Sequence, residues 1–393
     1  MSRLYSLFLQ HPIITTDSRD CPAGSIFFAL KGANFNGNAY AASALEKGCA
    51  YAVIDEAQYA IDERFILVDD VLLALQQLAN EHRRALGTPV IGVTGTNGKT
   101  TTKELIAAVL SEKYNVLFTQ GNFNNHIGVP KTLLQLRPEH EIAVIEMGAN
   151  HPGEIKTLVD IVEPDCGIIT NVGKAHLEGF GSFEGVIRTK GELYDFLRTK
   201  CDGTKVSRSS VDRGTVFIHA DNEHLATICH NLPLVKYGVT NVDGCKVVGK
   251  VGECAPFLTF SWKTDDCASD WNNVETHLIG TYNIYNMLAA ATIGLSFGIT
   301  VEQVCHALSN YIPSNNRSQL TITEHNKLIV DTYNANPTSM MAALHNFQDM
   351  KVAPKMAILG DMRELGEVSD EEHQKVVDFL KQSDIETIWL VGA

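Results

Sequence analysis

Two rhythms of apolar positions alternate along this chain. Short apolar runs of four to six residues read as buried strands. Longer stretches in which apolar residues return every three or four positions read as helices packed on them. Ser25–Leu30, Ala50–Ile54 and Phe65–Val68 are expected strands, with one helix over Ala39–Lys47 and another from Asp70 to about Leu86. Gly87-Thr88-Pro89 then breaks the pattern and marks a domain boundary. Beyond it, Pro89–Thr94, Asn115–Thr119, Ile142–Met147 and Gly167–Val172 read as strands interleaved with helical patterns, which predicts a mostly parallel sheet with helices on its faces.

Lys200–Arg213 is polar and reads as a surface loop. Residues 240–280 turn β-rich and polar, and are expected to form a small antiparallel appendage. Helices resume at Asn283–Phe297 and Val301–Tyr311. Ile312–Asn316 reads as a second linker and a hinge, and Leu328–Asp331, Lys355–Leu359 and Thr387–Val391 follow as strands separated by helices. The expectation is an α/β protein of three domains, 1–86, 87–311 and 312–393. The last ends just after a strand and is expected to be a truncated Rossmann-like unit.

The length of 393 residues fits two or three domains. A composition of 45% hydrophobic and 20% charged residues is that of a globular protein. The net charge of −14 argues against a general nucleic-acid or membrane-surface protein. Nine cysteines with no C-x-x-C pair read as reduced thiols. The opening segment is too short in apolar residues for a signal peptide, and no run reaches membrane-spanning length, so a cytoplasmic location is expected.

The most specific chemistry lies at Gly95-Thr96-Asn97-Gly98-Lys99-Thr100-Thr101. A buried strand precedes it and an amphipathic helix follows. In that context the glycines let backbone N–H groups approach phosphates, Lys99 reaches the terminal phosphates, and the Thr100 hydroxyl holds Mg²⁺. The spacing departs from the common phosphate loop, since Val93 stands where its first glycine belongs. Ligands of open parallel sheets collect at the carboxyl ends of strands, and other candidates fall there. Glu146 is placed to hold Mg²⁺, although a capping or surface role is open. His176 could bind a second ion or be merely structural. Lys190 interrupts the apolar stripe Phe183, Val186, Ile187, Leu193, Tyr194, Leu197, so it is either a snorkelling lysine or a desolvated neutral amine. The latter can add CO₂ and become a carbamate metal ligand. Asn124 and Asn125 follow one strand, and Asp331, Asn334 and Asn336 follow another; turn chemistry alone would also favour asparagine there. Arg317 could reach a phosphate or be a solvated charge.

The blocks TDSR (16–19), TGTNGKTTTKE (94–104), NFNNHIGVP (122–130), EMGANHPGEI (146–155), NVGKAHLEGFGSFEGV (171–186), TKGELYDF (189–196), NIYNMLAA (283–290), DTYNANPTSM (331–340) and LGDMRELGE (359–367) together resemble the Mur ligases, ATP-dependent amide-forming enzymes of bacterial cell-wall synthesis. The resemblance covers almost the whole chain. It implies that Lys99 and Thr100 bind ATP and Mg²⁺, that Glu146 and His176 help hold two ions, and that Lys190 is a carbamylated ligand. It further implies nucleotide contacts from Asn283, Asn286, Arg317, Asp331, Asn334 and Asn336, a UDP-sugar contact from Ser18 and Arg19, and substrate contacts from Asn124 and Asn125. YNANP and GDMRELGE imply UDP-N-acetylmuramoyl-tripeptide and D-alanyl-D-alanine as substrates of a monomeric enzyme, with no nucleic acid and no membrane insertion. The alternatives are a sibling or folylpolyglutamate-type ligase, and a nucleotide-binding protein without turnover. Tyr282 stands where the family often has His, and Asn36-Gly37-Asn38 replaces an Asp-Gly-His-like stretch.

Overall fold

The computed structural model describes residues 1–254, 256–265, 270–313 and 317–392. Its centre is a nine-stranded sheet. Across the sheet the strands run Asn272–Glu275, Leu258–Thr264, Cys245–Cys254, Leu234–Gly238, Val216–His219, Cys166–Ile169, Val90–Thr94, Ile142–Glu146 and Val116–Phe118. The seven from Cys245–Cys254 to Val116–Phe118 are parallel to their neighbours. Every residue of Val90–Thr94, Ile142–Glu146 and Cys166–Ile169 is buried, because helices cover both faces. Ile91, Val93 and Val144 pack toward helices Lys99–Ser111 and Asn283–Ser296. Val90, Ala143 and Ile145 pack on the opposite face, among residues of helices Val71–Leu86, Glu154–Val162 and Phe183–Arg198.

The expected antiparallel appendage is instead the far edge of this sheet. Cys245–Cys254 joins in parallel to Leu234–Gly238, and the last two strands add to it antiparallel. Val247, Leu258, Phe260 and Trp262 are buried in the same core as the central strands, so the segment could not stand apart from it. The Lys200–Arg213 segment has no helix or long strand, but Val206 and Val211 are buried in that core and anchor it.

A four-stranded parallel sheet precedes the central unit, ordered Ile14–Thr15, Ile26–Phe28, Tyr51–Ile54, Phe65–Leu67. Helix Val71–Leu86 starts where Asp70 accepts the Leu73 N–H (2.7 Å) and stops at Gly87 in the left-handed region. It then locks onto the central unit. Arg83 is buried and donates to the carbonyls of Val162 (2.9 Å) and Glu163 (2.6 Å) and to the Asp165 carboxylate (3.1 Å).

The third unit holds a hairpin, Gln319–Ile322 with Lys327–Val330, and a parallel pair, Met356–Gly360 with Thr387–Val391, with helices Pro337–Asp349 and Ser369–Gln382. The expected strand near 328–331 therefore pairs with a hairpin partner the apolar rhythm had not marked. Residues 314–316 of the expected linker lie outside the described residues. Replacing Arg83 with Ala is expected to lower the unfolding free energy by about 3 kcal/mol, because a buried carboxylate loses one of its partners. Urea denaturation measures this, and an unchanged midpoint would show the contact to be dispensable.

Candidate functional site

The chain leaves Val90–Thr94, crosses to the sheet edge and returns to Ile142–Glu146 on one side, then passes to Cys166–Ile169 on the other. The strand order reverses here, which opens a crevice at the carboxyl ends of the strands. The Gly95–Gly98 turn fills it. Thr96 N–H donates to the Asn171 carbonyl (2.9 Å) and Asn97 N–H to Asn171 Oδ1 (3.0 Å). Thr170 Oγ1 and Asn171 Nδ2 donate back to the Asn97 carbonyl (2.6 and 3.0 Å). The glycines are required by space. A Cβ on Gly95 would lie 2.1 Å from Thr170 Oγ1, and one on Gly98, which is left-handed, would lie 2.7 Å from Asn286 Oδ1. Helix Lys99–Ser111 starts at Gly98 with no side chain capping its first N–H groups, so these donors face the crevice with the positive end of the helix dipole.

Lys99 Nζ donates to the Thr96 carbonyl (2.9 Å), and burial holds its pKa below the usual lysine value. Thr100 Oγ1 donates to Glu146 Oε1 (3.3 Å), which also accepts Asn124 Nδ2 (2.8 Å). Glu146 Oε2 is buried and meets no hydrogen-bond donor among the described residues. Lys103, unmarked by sequence reasoning, is fully buried with Nζ 4.0 Å from that oxygen. A buried carboxylate oxygen open beside a threonine hydroxyl, at the mouth of a phosphate loop, fits a hard cation. No three His, Cys, Asp or Glu side chains cluster as a ready-made metal site among the described residues, so the remaining ligands would come from phosphate, water or a modified side chain.

Lys190 lies on helix Phe183–Arg198 and is only 2% exposed. Its Nζ donates to the Ala149 carbonyl (3.1 Å) and stands over the Phe180 ring (5.2 Å). Burial first, then repulsion from Lys99, holds its pKa well below the usual value, so the amine is poised to be neutral. His176 is also pushed down, chiefly by burial, against an opposing pull from Glu364.

A cleft of about 860 Å³ opens here, with Lys99, Glu146 and His176 on its surface and Thr100 and Lys190 behind its lining. Thr96, Asn97, Lys99, Asn124, Asn125, Glu146, His176, Arg317, Asn334 and Asn336 line it, so the third domain forms its far wall. Asn97 and Asn336 exchange side-chain hydrogen bonds across it (2.7 and 3.3 Å). Asn125 Oδ1 accepts the N–H groups of Ile127 and Gly128 (3.1 and 2.8 Å). Arg317 stacks on Tyr333, 3.8 Å from the ring centre.

Other expected residues stand back from the cleft. Asn286 accepts from Thr102 (3.0 Å) and donates to Asn283 (2.8 Å), and both are buried behind the phosphate loop as braces. Asp331 accepts Ser318 Oγ (2.9 Å), which in turn meets Tyr282 Oη (2.5 Å). Ser18 offers its carbonyl to Lys47 (2.7 Å), and Arg19 pairs with Asp17 at the surface of the first domain. Sequence reasoning missed Glu154, Arg363 and Glu364, which also line the cleft. The last two follow the Met356–Gly360 strand, so the strand-tip rule that marked Glu146 could have found them.

In CO₂-free buffer, Lys190→Met is expected to raise unfolding stability at pH 7, since burial lowers the lysine's pKa in the folded chain. The folded chain then binds fewer protons at Lys190 than the unfolded chain, so wild-type stability rises with pH and the gap closes toward pH 10. Denaturation at pH 7 and 9.5 tests the sign. A gap that widens would contradict a neutral buried amine.

Residues 12–83 match the Mur ligase family catalytic domain, 93–294 the Mur ligase middle domain, and 316–393 the Mur ligase glutamate ligase domain. The chain is 36% identical to the UDP-N-acetylmuramoyl-tripeptide–D-alanyl-D-alanine ligase of Bacillus subtilis (strain 168), over 96% of this chain and 79% of that one. It is 34% identical to the protein of the same name from Escherichia coli (strain K12), over 96% and 81%. Among solved structures it is similar to MurF from Acinetobacter baumannii, with a TM-score of 0.85 and 32% identity over 97% of this chain and 80% of that one. It is also similar to the MurF ligase from Thermotoga maritima in complex with ADP, with a TM-score of 0.83 and 25% identity over 100% and 90%.

Proposed function

The chain belongs to the Mur ligase family, and from that premise we propose that it joins D-alanyl-D-alanine to UDP-N-acetylmuramoyl-tripeptide at the expense of ATP, a step of peptidoglycan precursor synthesis. The observation that carries this reading is the composite cleft. A phosphate loop and an open carboxylate oxygen from the central domain face Arg317 and Asn336 from the third. Such a cleft is suited to phosphoryl transfer between two anionic partners.

The tripeptide carboxylate attacks the γ-phosphorus of ATP, giving an acyl phosphate and ADP. The amine of D-alanyl-D-alanine then attacks the acyl carbon, the amide forms and phosphate leaves. The uncapped N–H groups at the start of helix Lys99–Ser111 and the Lys99 side chain hold the polyphosphate and neutralise charge that grows on the transferred group. Asn97 and Asn336 fix the third domain against the loop, and Arg317 is within the same cleft to meet a phosphate or the acceptor's carboxylate. Thr100 and Glu146 would hold one Mg²⁺, and His176 with a carbamate on Lys190 a second; these ions supply charge neutralisation and in-line alignment. Burial lowers the Lys190 pKa and so favours the unprotonated form that carbamate formation requires. Asn124, in the lining of the cleft, orients Glu146 through its Oε1, and Asn283 and Asn286 support the loop rather than touch the nucleotide directly. Ser18 and Arg19 are assigned to the UDP-sugar in the first domain.

No helix among the described residues is long and apolar enough to cross a membrane, and every described cysteine is free. Both fit a reaction in the cytoplasm, where ATP is available.

Phosphate release is expected to require ATP, the nucleotide-linked tripeptide and D-alanyl-D-alanine together, and to stay near background with any single amino acid in place of the dipeptide. Release driven equally well by a single amino acid would overturn the substrate assignment. Lys190→Ala is expected to lower kcat by about 100-fold or more. Partial rescue by formate or acetate would support an anionic role at that position, and unchanged turnover would refute it.

A further inference from the structure

Besides the Asn97–Asn336 and Tyr282–Ser318 contacts, the third domain meets the central domain at the short loop that carries His176. Lys174 pairs with the buried carboxylate of Glu372 (3.0 Å), the Glu178 N–H donates to the Glu364 carbonyl (3.2 Å), and Gly366 lies against Glu178. Between them, His176 Nδ1 and Glu364 Oε2 share a short hydrogen bond across 188 residues of sequence. Both residues are left-handed, at φ 51° and 62°, a region that non-glycine residues adopt only when their surroundings hold them there. The contact is therefore specified from both sides.

A carboxylate on Nδ1 fixes the tautomer of a neutral histidine. The proton sits on Nδ1, and Nε2 keeps the lone pair. Carboxylates in this position orient metal-binding histidines and strengthen them as ligands. His176 lines the cleft, and its partner carboxylate could have come from its own domain. Here it is delivered by the third.

We propose that Glu364 is a positioning residue whose docking on His176 Nδ1 completes the histidine half of the divalent-cation site only when the third domain is closed. The inference rests on the metal-dependent ligase reading above. Cation binding and domain closure then favour one another to the same degree, since coupling between two equilibria is reciprocal. The opposite role is also conceivable for a carboxylate in this place: an internal plug that competes with the cation for the ring. The two differ in sign.

The test uses the full chain, saturated with a non-hydrolysable ATP analogue, and Mn²⁺ as the probe, with bound and free ion counted by electron paramagnetic resonance. His176→Ala identifies the ion that depends on the imidazole. Glu364→Ala is expected to weaken that ion by about 10- to 100-fold and to leave the other within twofold, with Glu364→Gln intermediate because its carbonyl still accepts the Nδ1–H. Small-angle scattering is expected to show Mn²⁺-induced compaction in the wild type and a smaller one in Glu364→Ala. The Glu364 side chain is 51% exposed, so its removal leaves the fold intact, and the melting temperature checks this. Unchanged or tighter binding of the His176-dependent ion in Glu364→Ala overturns the proposal while the ligase reading stands. A wild-type chain that binds nucleotide but no His176-dependent ion overturns both.

Discussion

Four main-chain and side-chain hydrogen bonds between the Gly95–Gly98 turn and the neighbouring strand end, Thr170-Asn171, set the geometry on which the rest depends. A polyphosphate is held by donors that cannot turn away. Asn171 holds the turn by accepting the Thr96 and Asn97 N–H groups and, with Thr170, by donating to the Asn97 carbonyl, which leaves the N–H groups at the start of helix Lys99–Ser111 to face the crevice. Because the two strands lie at the point where the sheet order reverses, the crevice is a property of topology as well as of the loop. Asn286 then closes the turn from behind, at a distance that only glycine at position 98 permits.

Around this rigid centre the chemistry is divided among elements that fold separately. Glu146 comes from one strand tip, His176 from another and Lys190 from a helix. The wall opposite comes from a domain joined through one linker. Each of these groups is held by an interaction that leaves something over: an oxygen of Glu146 with no hydrogen-bond donor among the described residues, an amine on Lys190 whose pKa burial pushes down, and on His176 the ring nitrogen opposite the one that Glu364 takes. Groups left partly unsatisfied in a buried setting are costly to a fold, and their concentration at one place is characteristic of a site built for a ligand. The first domain contributes stability to this arrangement through Arg83, which reaches the turn leading into Cys166–Ile169.

Much of this could be read from the sequence, for identifiable reasons. The apolar runs Pro89–Thr94, Ile142–Met147 and Gly167–Val172 mark strands buried on both faces, although the structure ends the last two at Glu146 and Ile169, and the strand-tip rule then points to the residues at their ends. Lys190 betrays its burial by sitting where the stripe of Val186, Leu193 and Leu197 calls for a hydrophobe. What depends on long-range pairing was not legible. The 245–275 strands have ordinary alternating faces, and nothing local says whether they form their own sheet or extend another. Val206 and Val211 are two apolar residues in a polar stretch, too few to reveal that they reach the core. Asn283 and Asn286 carry the same motif whether they touch a nucleotide or brace the loop beneath it. The meeting of Glu364 with His176 requires knowing how two domains dock, which no periodicity encodes.

The central claim is that this cleft recognises polyphosphate rather than adenosine alone. Calorimetric titration of the full chain with AMP, ADP and a non-hydrolysable ATP analogue, each with Mg²⁺, addresses it most directly. The account predicts that affinity rises with each added phosphate and that the rise from ADP to the ATP analogue shrinks when Mg²⁺ is removed. AMP binding as tightly as the triphosphate, with no effect of Mg²⁺, would contradict it.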